Sequence, residues 1–318
     1  MSSEDTPRFS ERTDMGPARD VVGYGRHVPA VRWPNGARVA LNLCLNWEEG
    51  SESSMIAGDG RNEGLAEIPY FMEPQYRDLA VESVYEYGSR AGIWRLARLF
   101  DQLDVPVTMF GAAVALERNP EVAAWVRERG HEVCSHGWRW EEVWKLSKDE
   151  ERAHIREAVR SIEETTGSRP VGWYCRYGPS IHTRELLVEE AGFEYDSDAY
   201  NDDLPYYREV SGKQHLVVPY SFTYNDGKFV QAQGVSDPSS FFDLLKHGFD
   251  YLWEEGETHP RMMSIGLHPR LVGQAARTSG LRDFLRYAQD KGDVWIATRA
   301  EIARWWAQNH HTFERTSA

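Results

Sequence analysis

The strongest constraint on this chain is the alternation of short apolar runs with stretches of helical periodicity along almost its whole length. Leu41, Leu43 and Leu45 alternate with Asn42, Cys44 and Asn46, which predicts a buried strand of about six residues. Residues 89–103 then carry Ile93, Leu96, Ala97, Phe100 and Leu103 at helical spacing and lead into a strand over 105–110. Further helices are expected at 120–128, 149–165, 184–190, 239–254, 281–289 and 300–308. The strands between them are expected at 131–134, 171–175, 193–195, 216–219, 262–267 and 294–297. No Pro/Gly/Ser-rich linker splits the series and no short repeat is visible. Seven or eight βα units in one unbroken run predict a single α/β domain with a parallel sheet curled into a barrel.

Bulk properties narrow the partners. The 318 residues have a formal net charge of -14, which argues against nucleic acid and anionic membranes, since both are held by Lys and Arg. A small neutral or mildly charged substrate fits better. Twelve Trp and fifteen Tyr are a heavy aromatic load, suited to a core, a walled cleft or a subunit interface. Cys44, Cys134 and Cys175 form no CxxC pair and are expected as buried thiols in a cytoplasmic protein. The first fifteen residues lack an apolar targeting segment. A flexible arm is expected over 1–20, the barrel domain over 21–310 and a tail over 311–318. The long segment 51–78 has no clear period but contains Ile68-Pro-Tyr-Phe-Met-Glu-Pro74, apolar side chains on a surface loop, which favours a homo-oligomer.

In a barrel, side chains at strand C-terminal ends converge on one rim. Reading those ends gives Glu48 and Glu49, Phe110, Ser135 and His136, Arg176 and Tyr177, Asp196 to Asp198, and His268. Each has a bland reading taken singly: an acidic turn, an exposed histidine, a surface ion pair. Together they form a set of carboxylates and imidazoles with the makings of acid/base catalysis. Arg176 can hold a carboxylate bidentately, and His268 is locked by the proline that follows it. The aspartates from Asp196 to Asp203 lack the glycine and distal glutamate of a calcium loop and read as turn builders.

These elements, in this order, resemble the polysaccharide deacetylase (NodB-homology, carbohydrate esterase 4) superfamily, whose fold is a distorted (β/α)7 barrel. The closer resemblance is to its cofactor-independent bacterial allantoinases of the PuuE type, a subgroup that also includes cyclic imide hydrolases. It runs through DVVGYG, LNWEEGSE, ESVYEYGSRAGIWRL, RNPEV, GHEVCSHGWRW, TGSRPVGWY, DSDAYNDDLPY and SIGLHPRL. The deacetylases' Asp-Asp pair is replaced by Glu48-Glu49, and Trp140 stands where their second metal histidine would be. A metal at that site would keep Glu49 and His136 and lose a third protein ligand, where a catalytic zinc normally has three. The segment CRYGPSIHT, 175–183, also differs from its counterpart in the allantoinases.

The resemblance implies a hydrolase that opens a small cyclic amide, such as allantoin, another hydantoin-like ring or a cyclic imide, with no cofactor and as a tetramer. Glu48 or Glu49 would be the base, and His136 and His268 would supply the acid and polarise the oxyanion. Arg176 would orient a carboxylate, with Trp138, Trp140, Tyr177 and Asp198 lining the substrate. One alternative is a metal-dependent N-deacetylase using a divalent ion such as zinc, with Glu141, Glu142 or Asp198 replacing the missing histidine. The other is a barrel that has lost catalysis and serves as a binding module.

Overall fold

The computed structural model describes residues 12–64, 72–73, 75–231 and 233–314. The expected arm is described only from Arg12, and the run Ile68 to Phe71 that suggested an oligomer lies outside the described residues, as do 315–318. The first strand, β1 (Val39–Trp47), is longer than expected and buried throughout. A helix α1 (Leu79–Tyr87) passes through a π-helical turn, Gly88–Gly92, into α2 (Ile93–Leu103). The sequence signal placed one helix over 89–103; the helical path starts ten residues earlier.

Next come β2 (Thr108–Gly111), the short α3 (Ala113–Arg118), α4 (Pro120–Arg129) and β3 (Glu132–Ser135). Helix α5 (Lys148–Thr166) opens on a reciprocal Ser147/Glu150 cap and closes at left-handed Gly167, as its sequence predicts. Strand β4 (Gly172–Trp173), α6 (Thr183–Glu190) and β5 (Tyr195–Asp196) follow. The hairpin β6 (Tyr206–Val210) and β7 (Lys213–Val217) replaces the single strand expected at 216–219. Its turn holds Ser211 and Gly212 at φ 51° and 76°, the left-handed pair that a two-residue hairpin requires. The chain ends with α7 (Pro238–Glu255), β8 (Arg261–Leu267), α8 (Ala275–Lys291), β9 (Val294–Ile296) and α9 (Arg299–Asn309).

The nine strands of the described residues form one sheet, eight of them in the order β6-β7-β5-β4-β3-β2-β1-β8, with β9 off this path beside β1. It is parallel except at the β6–β7 pair. Strand β1 pairs with β8 along one edge and with β9 and then β2 along the other. The curl is completed by a single bridge, Asn225 to Gly266, which brings the segment after β7 against β8. This is the expected curled, mostly parallel (β/α) barrel in a single domain.

Alternation along the strands separates two cores. Leu41, Leu43, Leu45 and Trp47 face the helices in one apolar cluster, whereas Ala40 and Cys44 join Phe110, Cys134, Tyr174 and Met262 on the inner face. Polar Asn42 and Ser264 share that inner face because Arg299, fully buried at the start of α9, bonds both at 2.8 and 3.0 Å. The same guanidinium reaches Ser197 Oγ at 2.9 Å and the carbonyl of Pro219 at 2.8 Å. One cation thereby ties β1, β8 and the ends of β5 and β7 beneath the site.

Candidate active site

Inner-face parity carries the chemistry. Continuing the alternation past β1 puts Glu48 inside with Asn42, Cys44 and Asn46, and turns Glu49 towards the helices. His136 follows β3, Arg176 follows β4 and His268 follows β8. Glu48, His136, His268 and Arg270 line a cavity of about 300 Å³ whose walls include Tyr85, Trp140, Tyr174, Tyr177 and Phe222. A larger hollow of about 930 Å³ opens beside residues 20–29 and Arg261. That hollow is at the other end of β8 from His268, where barrels keep stability residues and not catalytic ones.

Glu48 is the centre of the cluster. Its Oε1 lies 3.4 Å from His136 Nε2 and 3.6 Å from His268 Nε2, while Oε2 is 2.7 Å from Arg270 Nη2. Burial opposes ionisation, but Arg270, His268 and His136 outweigh it and hold the carboxyl well below its ordinary range. His136 donates from Nδ1 to the Tyr174 carbonyl at 2.7 Å, because a carbonyl can only accept; Nε2 is then the nitrogen turned to Glu48. Its ring stacks on Tyr174 at 5.1 Å and 9°, which fixes the imidazole plane.

His268 is held from behind by Asp226. Oδ1 of Asp226 is 2.6 Å from His268 Nδ1, and Oδ2 accepts the backbone N–H of His268 at 2.7 Å and of Val272 at 3.1 Å. Burial would lower the imidazole's pKa, yet Asp226 and Glu48 together raise it to about 9. The group is therefore an imidazolium at neutral pH. Asp226 opens a short 3-10 turn, Asp226–Phe229, that the Asn225–Gly266 bridge sets against β8.

Glu49 faces away from His136. Its Oε2 accepts the Glu48 N–H at 3.1 Å and its Oε1 the Arg270 N–H at 3.3 Å. A Cβ at Gly88 would stand 2.4 Å from Oε1, and one at Gly92 2.1 Å from the Pro269 carbonyl, so the π-helical turn must be glycine at both contacts. Burial, opposed by Arg270 and reinforced by Glu48, raises the Glu49 carboxyl to about 7.

Arg176 does hold a carboxylate bidentately, and it is the protein's own. Its Nη1 and Nη2 donate to Glu63 at 2.7 and 2.8 Å, and Nη1 also to the Trp140 carbonyl at 2.9 Å. The guanidinium lies 3.8 Å over the Trp140 ring and 4.8 Å from Tyr177. Trp140 and Tyr177 line the cavity; Trp138 and Asp198 do not. Trp138 packs against the apolar clusters behind the wall. Asp198 accepts the Cys175 N–H at 2.8 Å, and burial with Asp196 nearby pushes its carboxyl up. Arg270, Asp226, Glu63 and Tyr174 were missed from sequence. Arg270 had a signal, since it shares the inward parity of His268.

The described residues do not assemble the ligand set expected for a metal. Glu49 and His136, the pair expected to remain as ligands, are not brought together. Glu141 is 2.9 Å from His154 and Glu142 2.9 Å from Arg61, so both are engaged elsewhere. Among the described residues no three His, Cys, Asp or Glu are grouped to hold an ion. The positive charge beside Glu48 is supplied by the Arg270 guanidinium, itself 5.5 Å from the Trp140 ring.

Residues 76–195 match the sequence profile of the polysaccharide deacetylase family. A Schizosaccharomyces pombe protein named "Putative polysaccharide deacetylase" is 36% identical, over 93% of this chain and 99% of its own length. The chain belongs to the polysaccharide deacetylase family. Two solved structures are similar over 92% of this chain and 98% of theirs, each with a TM-score of 0.88. One, from Pseudomonas aeruginosa PAO1, is described as a probable polysaccharide deacetylase and is 47% identical; the other, Puue allantoinase, is 45% identical. Membership makes this chain a hydrolase-family barrel. Among the described residues no helix is long and apolar enough to cross a membrane.

Proposed function

We propose that this chain hydrolyses a C–N bond in a small cyclic amide, a hydantoin-like ring such as allantoin or a cyclic imide, by acid/base catalysis without a metal. The observation that carries the reading is the convergence of Glu48, His136, His268 and Arg270 on one small aromatic-walled cavity. The likeness to Puue allantoinase supports the same ring chemistry.

In this reading a flat ring lies between Trp140 and the Tyr174 side, with its carbonyl towards His268 and Arg270. Water held by Glu48 and His136 attacks the carbonyl carbon. Its oxygen becomes strongly acidic as the new C–O bond forms, so even a weakly basic carboxylate takes the proton. Arg270 and the His268 imidazolium stabilise the oxyanion in a site that excludes bulk water. The C–N bond then breaks and His268 gives its proton to the leaving nitrogen. The proton on Glu48 returns to His268 across the gap of 3.6 Å, a contact that tightens as the charges redistribute. The products are one carboxyl and one amide or ureide on a single open chain.

The test is a hydrolysis screen of allantoin, hydantoin, dihydrouracil, succinimide, glutarimide and an N-acetylated sugar, each with and without chelator. Opening of at least one ring at a rate insensitive to chelator is expected. Deacetylation of the sugar alone, abolished by chelator, overturns the reading.

A further inference from the structure

Building on the cyclic-amide reading, we infer that the preferred ring carries a neutral aromatic or bulky apolar substituent, in place of a ureido or carboxylate group. The first observation is an aromatic mouth held open. Tyr177 and Phe222 both line the cavity, yet they are 55% and 44% exposed. Phe222 stacks on Tyr200 at 4.2 Å and 22°. Tyr200 is pinned in turn: its hydroxyl is 3.0 Å from that of Tyr174 and donates to the Tyr177 carbonyl at 3.2 Å. Rings fixed in place with a face left to solvent present a preorganised platform to a ligand, and ordering them costs nothing further on binding.

The second observation is that the positive charge around the cavity is spent internally. Arg270 is paired with Glu48, His268 with Asp226 and Glu48, and Arg176 with Glu63. Arg270 keeps Nε and Nη1 without a hydrogen-bond partner, and in the proposed reaction the ring carbonyl takes them, so a carboxylate on the substituent would find no further cation among the described lining residues and would approach the ionised Glu48. The side-chain amides are largely committed as well. Asn225 donates to the Tyr220 hydroxyl at 2.9 Å and accepts the Gly227 N–H at 2.7 Å, and Asn46 donates to the Leu267 carbonyl at 3.2 Å. Among the described residues Gln231 is the remaining amide of the lining. With the Arg270 donors on the ring carbonyl, a ureido group, which needs several partners, would be left with Gln231 and the unpartnered Tyr85 hydroxyl, fewer than the hydrogen bonds it gives up to water.

Size agrees. The cavity of about 300 Å³ equals the space of about ten waters, more than a bare imide ring fills. A phenyl group on the ring would occupy the excess and reach the Phe222–Tyr200 platform.

The experiment compares kcat/KM of the full chain on 2-phenylsuccinimide and 5-phenylhydantoin with succinimide, hydantoin, allantoin and di-N-acetylchitobiose. The phenyl-substituted rings are expected to exceed their unsubstituted counterparts and allantoin by about tenfold, mostly through KM. Phe222→Ala, checked for folding by its thermal transition, is expected to bring the phenyl-to-unsubstituted ratio down to about twofold, and Tyr200→Leu to lower it in the same direction. Allantoin or the bare rings turning over as well as the phenyl rings overturns the inference while leaving the cyclic-amide reading intact. A ratio unmoved by both variants also overturns it. Cleavage of di-N-acetylchitobiose with no ring opened overturns both.

Discussion

Arg176 and Glu63 meet through two parallel hydrogen bonds of 2.7 and 2.8 Å, with the guanidinium laid over the indole of Trp140. The pair anchors the loop that carries Gly64 into the cavity wall, so it acts on the substrate through the wall and not by contact. Removing Glu63 leaves the buried Arg176 with only Glu142, 4.0 Å away and shared with Arg61, so Glu63→Gln is expected to cost about 3 kcal/mol of stability and to raise KM more than it lowers kcat. The double variant Arg176→Met/Glu63→Leu removes both charges and is expected to be more stable than either single change. Urea unfolding with steady-state kinetics reads both effects. A Glu63→Gln protein with wild-type stability and KM would remove the anchor.

The two adjacent glutamates are expected to separate cleanly. Glu48→Gln abolishes the carboxylate that faces both imidazoles and is expected to lower turnover by a hundredfold or more. Glu49→Gln keeps an oxygen for one of the two backbone donors, turns its NH2 on the other, and is expected to cost less than tenfold. Its effect on stability depends on pH. Folded Glu49 holds its proton to about 7, whereas the unfolded carboxyl loses it near 4.5. Between those values the native state binds more protons, so this contribution is full below 4.5 and lost as pH rises through 7. The lost backbone bond lowers Glu49→Gln equally at every pH, so its unfolding temperature relative to wild type should rise from pH 4.5 to pH 8. Equal kinetic losses in the two variants would contradict their opposite facings.

How much of this could be read beforehand follows from where each residue gets its position. Glu48, His136, Arg176 and His268 are placed by strand ends, and alternation in β1 is local, so the strand-exit set was legible in the sequence. The facing of the two glutamates was legible too, since Asn42, Cys44, Asn46 and Glu48 share one parity, but that signal has to be carried beyond the last apolar residue. Asp226 opens a single 3-10 turn and Glu63 lies in a loop, both too short or irregular to show a period, and the Asn225–Gly266 bridge and the Arg176 fork bring them in. Strand β6 was hidden because its Tyr-Tyr-Arg-Glu-Val sequence is half-exposed and carries no apolar run. The long run of helix from Leu79 was hidden by two glycines that tertiary contacts with Glu49 and Pro269 require.

Arg299 offers a test of the barrel floor. It is fully buried and joins Asn42, Ser264, Ser197 and the carbonyls of Val218 and Pro219. Arg299→Met fills much of the same volume but strands several buried acceptors, each costing about 1–3 kcal/mol. Loss of cooperative unfolding, or a stability loss of at least about 3 kcal/mol, is expected in urea titration. Arg299→Lys should recover only part of it, because an ammonium cannot span five acceptors from one planar fork.

The pH dependence follows from His268 and Asp226. With the imidazolium as acid, activity requires Glu48 ionised and His268 protonated. Since Glu48 is held well below its ordinary range, no fall is expected between pH 5 and 8 from that group. The alkaline fall should come near 9, where His268 loses its proton. Asp226→Asn removes the larger of the two charges that raise it, while an asparagine oxygen can still accept the backbone N–H groups of His268 and Val272. Burial then acts with less opposition, and the alkaline limb should move down by one unit or more, towards the ordinary histidine value of about 6.5. Stability shifts in the same sense. A histidine raised from about 6.5 to about 9 stabilises the fold fully below 6.5 and loses that contribution as pH rises through 9, so wild type should lose stability across this window and Asp226→Asn should not. A kcat/KM profile whose alkaline limb stays in place in Asp226→Asn would assign that limb to another group and take the acid role from His268.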